Sequence, residues 1–324
     1  MDKTIEIPKL TILTEEQVYG NNKLNIFNVI DPRAAVSDTA ILRGAFVSDY
    51  HTANDNSLSG RTGSYWLQNS LGSKYAYAEV VTKHGYTTYY SSNARSTGIR
   101  AALPYSQIKN FPHTLESSLI YDSIFGSYTS PERLEVITYG YYPGAAVDNV
   151  MQQTLEAAYN SKTLKKLEVG YTFDGRKCND YNKDFSPEKQ ECFVFYDGKI
   201  YTRIKANFHP IYGNHILSNG EEYKDGDYVW VKIEPIVWLK HPLDDVMISE
   251  KEILAGVRFS ELKWFLDNYL SKDILSLYEL KKYINKNNYS DDEIKTINNF
   301  IYLNENGNPI KKKKIIVKAK RKSN

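Results

Sequence analysis

The sequence predicts an α+β protein with a mixed β-sheet core and a helical extension at its C-terminal end. Alternating apolar and polar runs bounded by turn residues recur through most of the chain up to residue 250. Helical periodicity is confined to residues 150–167 and to the region after Ser260. No repeat of fixed period is present, which excludes a solenoid or a propeller.

Short strands separated by loops dominate the first half of the chain. Residues 14–17, Thr-Glu-Glu-Gln, form a capping box, which predicts one short helical turn. Residues 24–30 and 41–47 are rich in apolar side chains, and each segment predicts a strand. Asp31-Pro32 ends the first of these strands, and Gly44 interrupts the second.

The stretch from residue 61 to residue 105 combines two predicted core strands, 65–67 and 98–103, with a surface rich in tyrosine, asparagine and serine. A hairpin between the strands turns at His84-Gly85. Tyrosine offers a rigid apolar ring with a hydrogen-bonding tip at low entropy cost, so the composition predicts a binding face. The alternative is a solvent-facing hairpin of cross-strand Tyr and Thr pairs. The candidate ligand-binding residues are Gln68, Asn69, Tyr75, Tyr77, Tyr86, Tyr89, Tyr90, Asn93 and Arg95.

The second half combines one amphipathic helix with longer strands. A predicted strand from Leu134 precedes the helical spacing of residues 150–167. Asp197-Gly198 lies between alternating apolar runs, which is a strong hairpin signal. The apolar run 228–239 contains Pro235, and a proline inside a strand demands a bulge, an edge or a break.

The length of 324 residues allows one large domain or two ordinary ones, because single cores stop growing at roughly 250 to 300 residues. The strand pattern loosens after Pro104, which places a boundary near residue 125. We therefore expect one half spanning residues 1–125, a complementary half spanning 126–270, and a helical extension with a basic tail spanning 271–324.

Two passages carry a family resemblance. One comprises Glu234, Pro235, Ile236, Trp238, Ser249, Glu250, Lys251, Ile253, Leu254 and Phe259. The other comprises Tyr65, Trp66, Leu67, Gly98, Ile99, Arg100, Ala101, Ala102 and Leu103, with Ala101 where the family has proline. They resemble an uncharacterised family of low-GC bacteria and their phages, related to the formylglycine-generating-enzyme (sulfatase-modifying factor) branch of the C-type-lectin-like fold. The resemblance implies such a core over most of residues 20–270, in a phage- or Firmicute-encoded protein.

The order of these passages is reversed relative to the family, in which the Pro-Ile-x-Trp strand usually comes first. A circularly permuted domain built from residues 1–110 and 135–270 accounts for this order. Two incomplete relatives packed against each other are the alternative. Residues 60–110 contain no cysteine, so the resemblance does not imply formylglycine-generating activity.

The sequence predicts no catalytic site, no metal site and no cofactor. Cys178 and Cys192 match no zinc spacing, and the six histidines fall in separate loops. The glycines are too widely spaced to form a phosphate-binding loop. These observations favour a non-enzymatic recognition protein that binds a protein or a glycan.

The net charge of +2 conceals a basic C-terminal tail. Its bases are Lys311, Lys312, Lys313, Lys314, Lys318, Lys320, Arg321 and Lys322. Such a cluster suits a solvated tail, but it also attracts polyanions by counterion release. The alternative function is therefore a virion structural or nucleic-acid-associated protein. Without a signal peptide or a long apolar span, we expect a cytoplasmic or virion-associated protein with no membrane contact.

Overall fold

The protein is a mixed α+β structure, mostly sheet, with short helices. A computed structural model describes residues 8–47, 61–71, 76–109, 113–118, 134–166 and 194–267. The predicted C-terminal extension with its basic tail, both cysteines and Tyr75 lie outside the described residues. In the described ranges, no helix has the length and apolar character needed to cross a bilayer.

Most elements on both sides of residue 125 are short, and the exceptions are two strands of 13 residues and one helix of 12 residues, all in the second half. The first half contains α1 (Glu15–Val18), a 3-10 helix (Asn25–Asn28), β1 (Ala34–Val36), α2 (Asp38–Leu42), β2 (Thr62–Gly63), β3 (Tyr65–Leu71), β4 (Tyr77–Val81), β5 (Thr87–Ser91), β6 (Ala102–Pro104), a second 3-10 helix (Tyr105–Gln107) and β7 (Thr114–Ser118). The second half contains β8 (Leu134–Ala146), α3 (Asn149–Asn160), β9 (Lys165–Lys166), β10 (Val194–Tyr196), β11 (Lys199–Lys205), β12 (Asn214–Ile216), β13 (Glu222–Lys224), β14 (Tyr228–Lys240), β15 (Val246–Ser249), β16 (Lys251–Glu252) and α4 (Phe259–Trp264).

An eight-stranded antiparallel sheet is organised around β14. Strand β8 pairs along one side of β14, while β11 and then β15 pair along its other side. Strands β10 and β9 extend the sheet beyond β11, β6 extends it beyond β15, and β7 pairs with β8. Strands from both sides of residue 125 therefore lie in one sheet.

Several local predictions are confirmed. Thr14 caps α1 in a full capping box, and the Asp197-Gly198 turn joins β10 to β11 with φ of +46° and +73°. Strand β14 passes through Pro235 with a register shift before Val237, so the structure shows a bulge among the three predicted alternatives of bulge, edge and break. Gly85 turns the chain between β4 and β5 with φ of +84°.

Two predicted strands are helical instead. Residues 25–28 form a 3-10 helix because the Asp244 carboxylate accepts hydrogen bonds from the backbone N–H groups of Asn25 (3.1 Å) and Ile26 (3.0 Å). The strand predicted for residues 41–47 is also absent: Ile41 and Leu42 end α2, which begins at Asp38 after the Ser37 hydroxyl accepts from the Ala40 N–H at 3.2 Å, and of the remaining residues only Val47 forms an isolated bridge.

Two other predicted elements are shorter than expected. Helix α3 ends at Asn160 rather than near residue 167. In the predicted 98–103 strand, β6 begins only at Ala102, and Ile99 forms an isolated bridge with Leu254. A segment forms a strand only where its backbone N–H and C=O groups bond to a neighbouring strand, so the apolar pattern overestimates the length of the strand here.

The largest apolar cluster contains residues of both halves. Trp66 from β3 packs in the same cluster as Trp238 from β14. Each indole N–H donates to a buried carbonyl, Trp66 to Val257 at 3.2 Å and Trp238 to Tyr139 at 2.8 Å. The two segments that carry the family resemblance therefore share a core.

Candidate recognition surface

The three-stranded sheet β3-β4-β5 has one buried face and one partly open face. Trp66, Ala78 and Val80 point from the buried face into the largest apolar cluster. On the opposite face, Leu71 pairs with Tyr77, and Glu79 pairs with Tyr89. Leu71, Tyr77 and Tyr89 are 51%, 54% and 41% exposed. We call these three residues, together with Asn69, the tyrosine face.

Two carboxyl groups adjoin the tyrosine face. Glu79 is buried and accepts a hydrogen bond from Asn69 Nδ2 at 2.7 Å. Glu15, in the first turn of α1, accepts a hydrogen bond from Thr87 Oγ1 at 3.3 Å. Burial raises the pKa of Glu79, the bond from Asn69 opposes this effect, and Glu15 raises the pKa further.

The electrostatics of the pair extend to the tyrosine ring. Partial burial raises the pKa of the Tyr89 phenol, and the negative charges of Glu79 and Glu15 raise it further. The phenol of Tyr89 therefore stays neutral and remains a hydrogen-bond donor at physiological pH. The tyrosine face thus combines apolar rings, an amide, a phenol and a carboxyl pair.

Most predicted site residues are exposed, but they do not form one group. Asn69, Tyr77 and Tyr89 lie together in the tyrosine face. The exposed Tyr86 lies at the hairpin end beside His84, with the two rings stacked at 6.3 Å between centroids. Exposed Gln68 donates to Thr11 Oγ1 at 2.8 Å, and exposed Asn93 lies just after β5.

Two predicted site residues point inward. Tyr90 packs against the largest apolar cluster, because it follows Tyr89 on β5 and successive strand residues point to opposite faces. Arg95 is 1% exposed, with Nη2 lying 3.5 Å from Glu261 Oε1. Its Nη1 donates to the Gly256 carbonyl at 3.2 Å. Arg95 thus connects the segment after β5 with the segment that leads into α4.

Glu15, Leu71, Glu79 and Thr87 were missed as site residues. The alternation Tyr77, Glu79, Val81 along β4 was a usable signal, because it places the Glu79 carboxyl on the same strand face as the Tyr77 ring. No local signal relates Glu15 to Thr87, since the two residues lie 72 positions apart.

A second cluster gathers aromatic and imidazole rings from residues 209–215 and from the segment after α2. The ring centroids of Phe46 and His209 lie 4.7 Å apart, and those of Tyr212 and His215 lie 5.0 Å apart. Lys83 Nζ lies 3.7 Å from the Phe46 centroid. Burial and the nearby ammonium group of Lys83 lower the pKa of His209. Within the described residues, no three His, Cys, Asp or Glu side chains are placed to hold a metal ion.

Among the described residues, Glu252 is the most deeply buried acid. Strand β1 pairs with β16 on one side and β2 on the other, so Glu252 lies close to Gly63. A Cβ atom on Gly63 would lie 2.5 Å from Glu252 Oε1, and one on Gly98 would lie 2.0 Å from Oε2. Only glycine therefore leaves room for this carboxyl. Neither oxygen has a hydrogen-bond partner in the part of the chain that the structure describes.

Desolvation controls the charge state of Glu252. Complete burial raises the pKa of its carboxyl well above the ordinary value, and only the positive charge of Arg100 opposes this effect. Glu252 is therefore a structural acid of the core, separate from the tyrosine face. Comparisons of the chain with protein-family models, with curated proteins and with solved structures yield no match.

Proposed function

We propose that the protein is a non-enzymatic recognition protein that binds a protein or glycan ligand through the tyrosine face. The supporting observation is the exposure of Leu71, Tyr77 and Tyr89 on one face of a sheet whose other face is core. Exposed apolar patches mark interaction sites, and binding energy concentrates in a few aromatic anchors. Asn69 adds an adaptable polar group of the kind found in binding loops.

The proposed scaffold is a circularly permuted C-type-lectin-like domain, encoded by a phage or a Firmicute. Its support is the family resemblance together with the shared core of Trp66 and Trp238. The segment containing Arg100 also contacts β15, because Arg100 Nε donates to the Ser249 carbonyl at 3.1 Å. Such a scaffold would separate the buried strands that hold the fold from the exposed face that binds.

A triple variant, Leu71→Ser, Tyr77→Ser and Tyr89→Ser, tests the tyrosine face. These side chains are exposed, so we expect the free energy of unfolding to change by less than about 1 kcal/mol. We expect binding to weaken by at least roughly 100-fold, because aromatic hot spots contribute 2 kcal/mol or more each. The measurement is screening of the whole protein on a glycan array and a displayed peptide library, followed by titration of the selected ligand with the variant.

The matched control replaces three exposed apolar residues outside the tyrosine face, Val150→Ser, Ile211→Ser and Leu243→Ser. This control should retain the ligand. Loss of several kcal/mol of stability in the tyrosine variant would show that the rings are core residues. Equal loss of binding in the control would show that the ligand does not use the tyrosine face.

The basic tail supports the alternative proposal, a virion structural or nucleic-acid-associated protein. We expect the whole protein to retain mixed-sequence DNA at about 50 mM salt and to release it at about 150 mM, because counterion release makes such contacts steeply salt-dependent. A chain truncated after Asn308 should bind DNA at neither concentration. Fluorescence anisotropy with labelled duplex measures both. Equal retention by the truncated chain would show that residues before 309 carry the contact.

A further inference from the structure

We propose that the group docking on the tyrosine face is cationic, a lysine or arginine side chain presented by a segment of a partner protein. This inference rests on the proposed recognition function and names the chemistry of its ligand. The observation behind it is the position of the Glu15 and Glu79 carboxyls beside exposed tyrosine rings.

The geometry places negative charge and aromatic rings on one side of the sheet. Glu79 lies directly opposite Tyr89, with Tyr77 two residues before it on the same strand face. Asn69 Nδ2, at the exposed end of β3, donates to Glu79 Oε2 at 2.7 Å. Thr87, on the same face of β5, donates to the partly exposed Glu15. Glu15 is thus partly exposed beside the face, whereas Glu79 lies buried beneath it.

These groups favour a cation over other ligands. The faces of tyrosine rings attract ammonium and guanidinium groups, the partly exposed Glu15 can add a charge-assisted hydrogen bond, and the buried Glu79 carboxyl attracts a cation through its charge. A neutral glycan gains neither effect. A polyanion is repelled by the carboxylates, so the tyrosine face is unsuited to nucleic acid. Charge complementarity therefore selects a basic protein segment as the occupant.

Binding of a cation is linked to the ionisation of Glu79. The groups that face Glu79 are Glu15 from α1, Asn69 from β3 and Tyr89 from β5. Burial and Glu15 raise the pKa of Glu79, whereas a docked cation favours its ionised form. Binding therefore releases a proton, and affinity rises as pH rises through the raised pKa. Ordinary surface carboxylates are already ionised in that range and produce no such rise.

The test uses the whole protein and three fluorescein-labelled peptides. The first consists of Gly-Ser-Lys repeats, the second of Gly-Ser-acetyl-lysine repeats and the third of Gly-Ser-Glu repeats. Fluorescence anisotropy should detect binding of the lysine peptide alone, with affinity increasing as the pH rises above the ordinary glutamate pKa of 4.5. Glu79→Gln and Glu15→Gln should each weaken binding roughly tenfold, and Glu79→Gln should abolish the pH dependence. Tyr89→Leu keeps an apolar side chain but should also weaken binding.

The matched control is Glu221→Gln, an exposed acid before β13, which should leave the affinity unchanged. Thermal unfolding identifies any variant that fails to fold. If Glu79→Gln fails to fold, Glu15→Gln tests the same contact, because Glu15 is partly exposed. Equal binding of the acetyl-lysine peptide, or unchanged affinity in folded glutamine variants, overturns the inference. If the tyrosine variant loses the selected ligand but both glutamine variants still bind it, the inference of a cationic ligand is wrong and the proposed recognition function is supported.

Discussion

Residues 1–125 expressed as an isolated fragment are expected not to fold, because their apolar side chains complete a core only with the second half. In the whole protein, Trp66 and Leu103 pack in one cluster with Trp238. Strand β6 belongs to the main sheet only through β15, and Ile99 pairs with Leu254. Without these partners, large apolar surfaces and backbone groups would face water, and the fragment should show no sharp thermal transition by circular dichroism.

Co-expression of residues 126–324 with this fragment is the appropriate control. If the two halves form one cooperative unit, the co-expressed fragments should associate and recover a single transition near that of the intact chain. A sharp transition of the isolated fragment would contradict the permuted domain. It would instead favour two relatives, each with its own core.

The substitution Glu252→Gln is expected to raise the free energy of unfolding at neutral pH and to flatten its pH dependence. The pKa of Glu252 in the folded protein is raised well above the ordinary value of 4.5 by complete burial. Above pH 4.5, the Glu252 carboxyl loses its proton in the unfolded chain but keeps it in the folded chain. Each pH unit in this window therefore lowers the stability of the natural protein by up to about 1.4 kcal/mol, until the pH reaches the folded pKa. Glutamine does not ionise, so the variant lacks this loss.

Urea unfolding at several pH values between about 5 and 8 measures the difference. Burial also raises the pKa values of Glu79 and Glu234, so both proteins should keep a weaker slope of the same sign. The exposed neighbour Glu250 provides the matched control, and Glu250→Gln should follow the natural protein. Identical pH profiles for Glu252→Gln and the natural protein would mean that Arg100 keeps the folded carboxyl ionised.

Local signals in the sequence determined the turns, one helix start and several strands. The Asp197-Gly198 hairpin, the Thr14 capping box and the bulge near Pro235 depend on the conformations of a few adjacent residues. The exposure of Tyr77 and Tyr89 also follows from alternation along β4 and β5. These features were predictable because their physical causes lie within a few positions of one another.

Only the tertiary structure decided the elements and contacts that depend on distant partners. The 3-10 helix at Asn25 replaces a predicted strand because Asp244, 219 positions away, accepts hydrogen bonds from its first N–H groups. Burial and the nearby Glu15 raise the pKa of Glu79. Arg95 was predicted on the binding face but is buried and pairs with Glu261. The energy of a buried polar group depends on which groups surround it, and folding assembles those groups from separate parts of the chain.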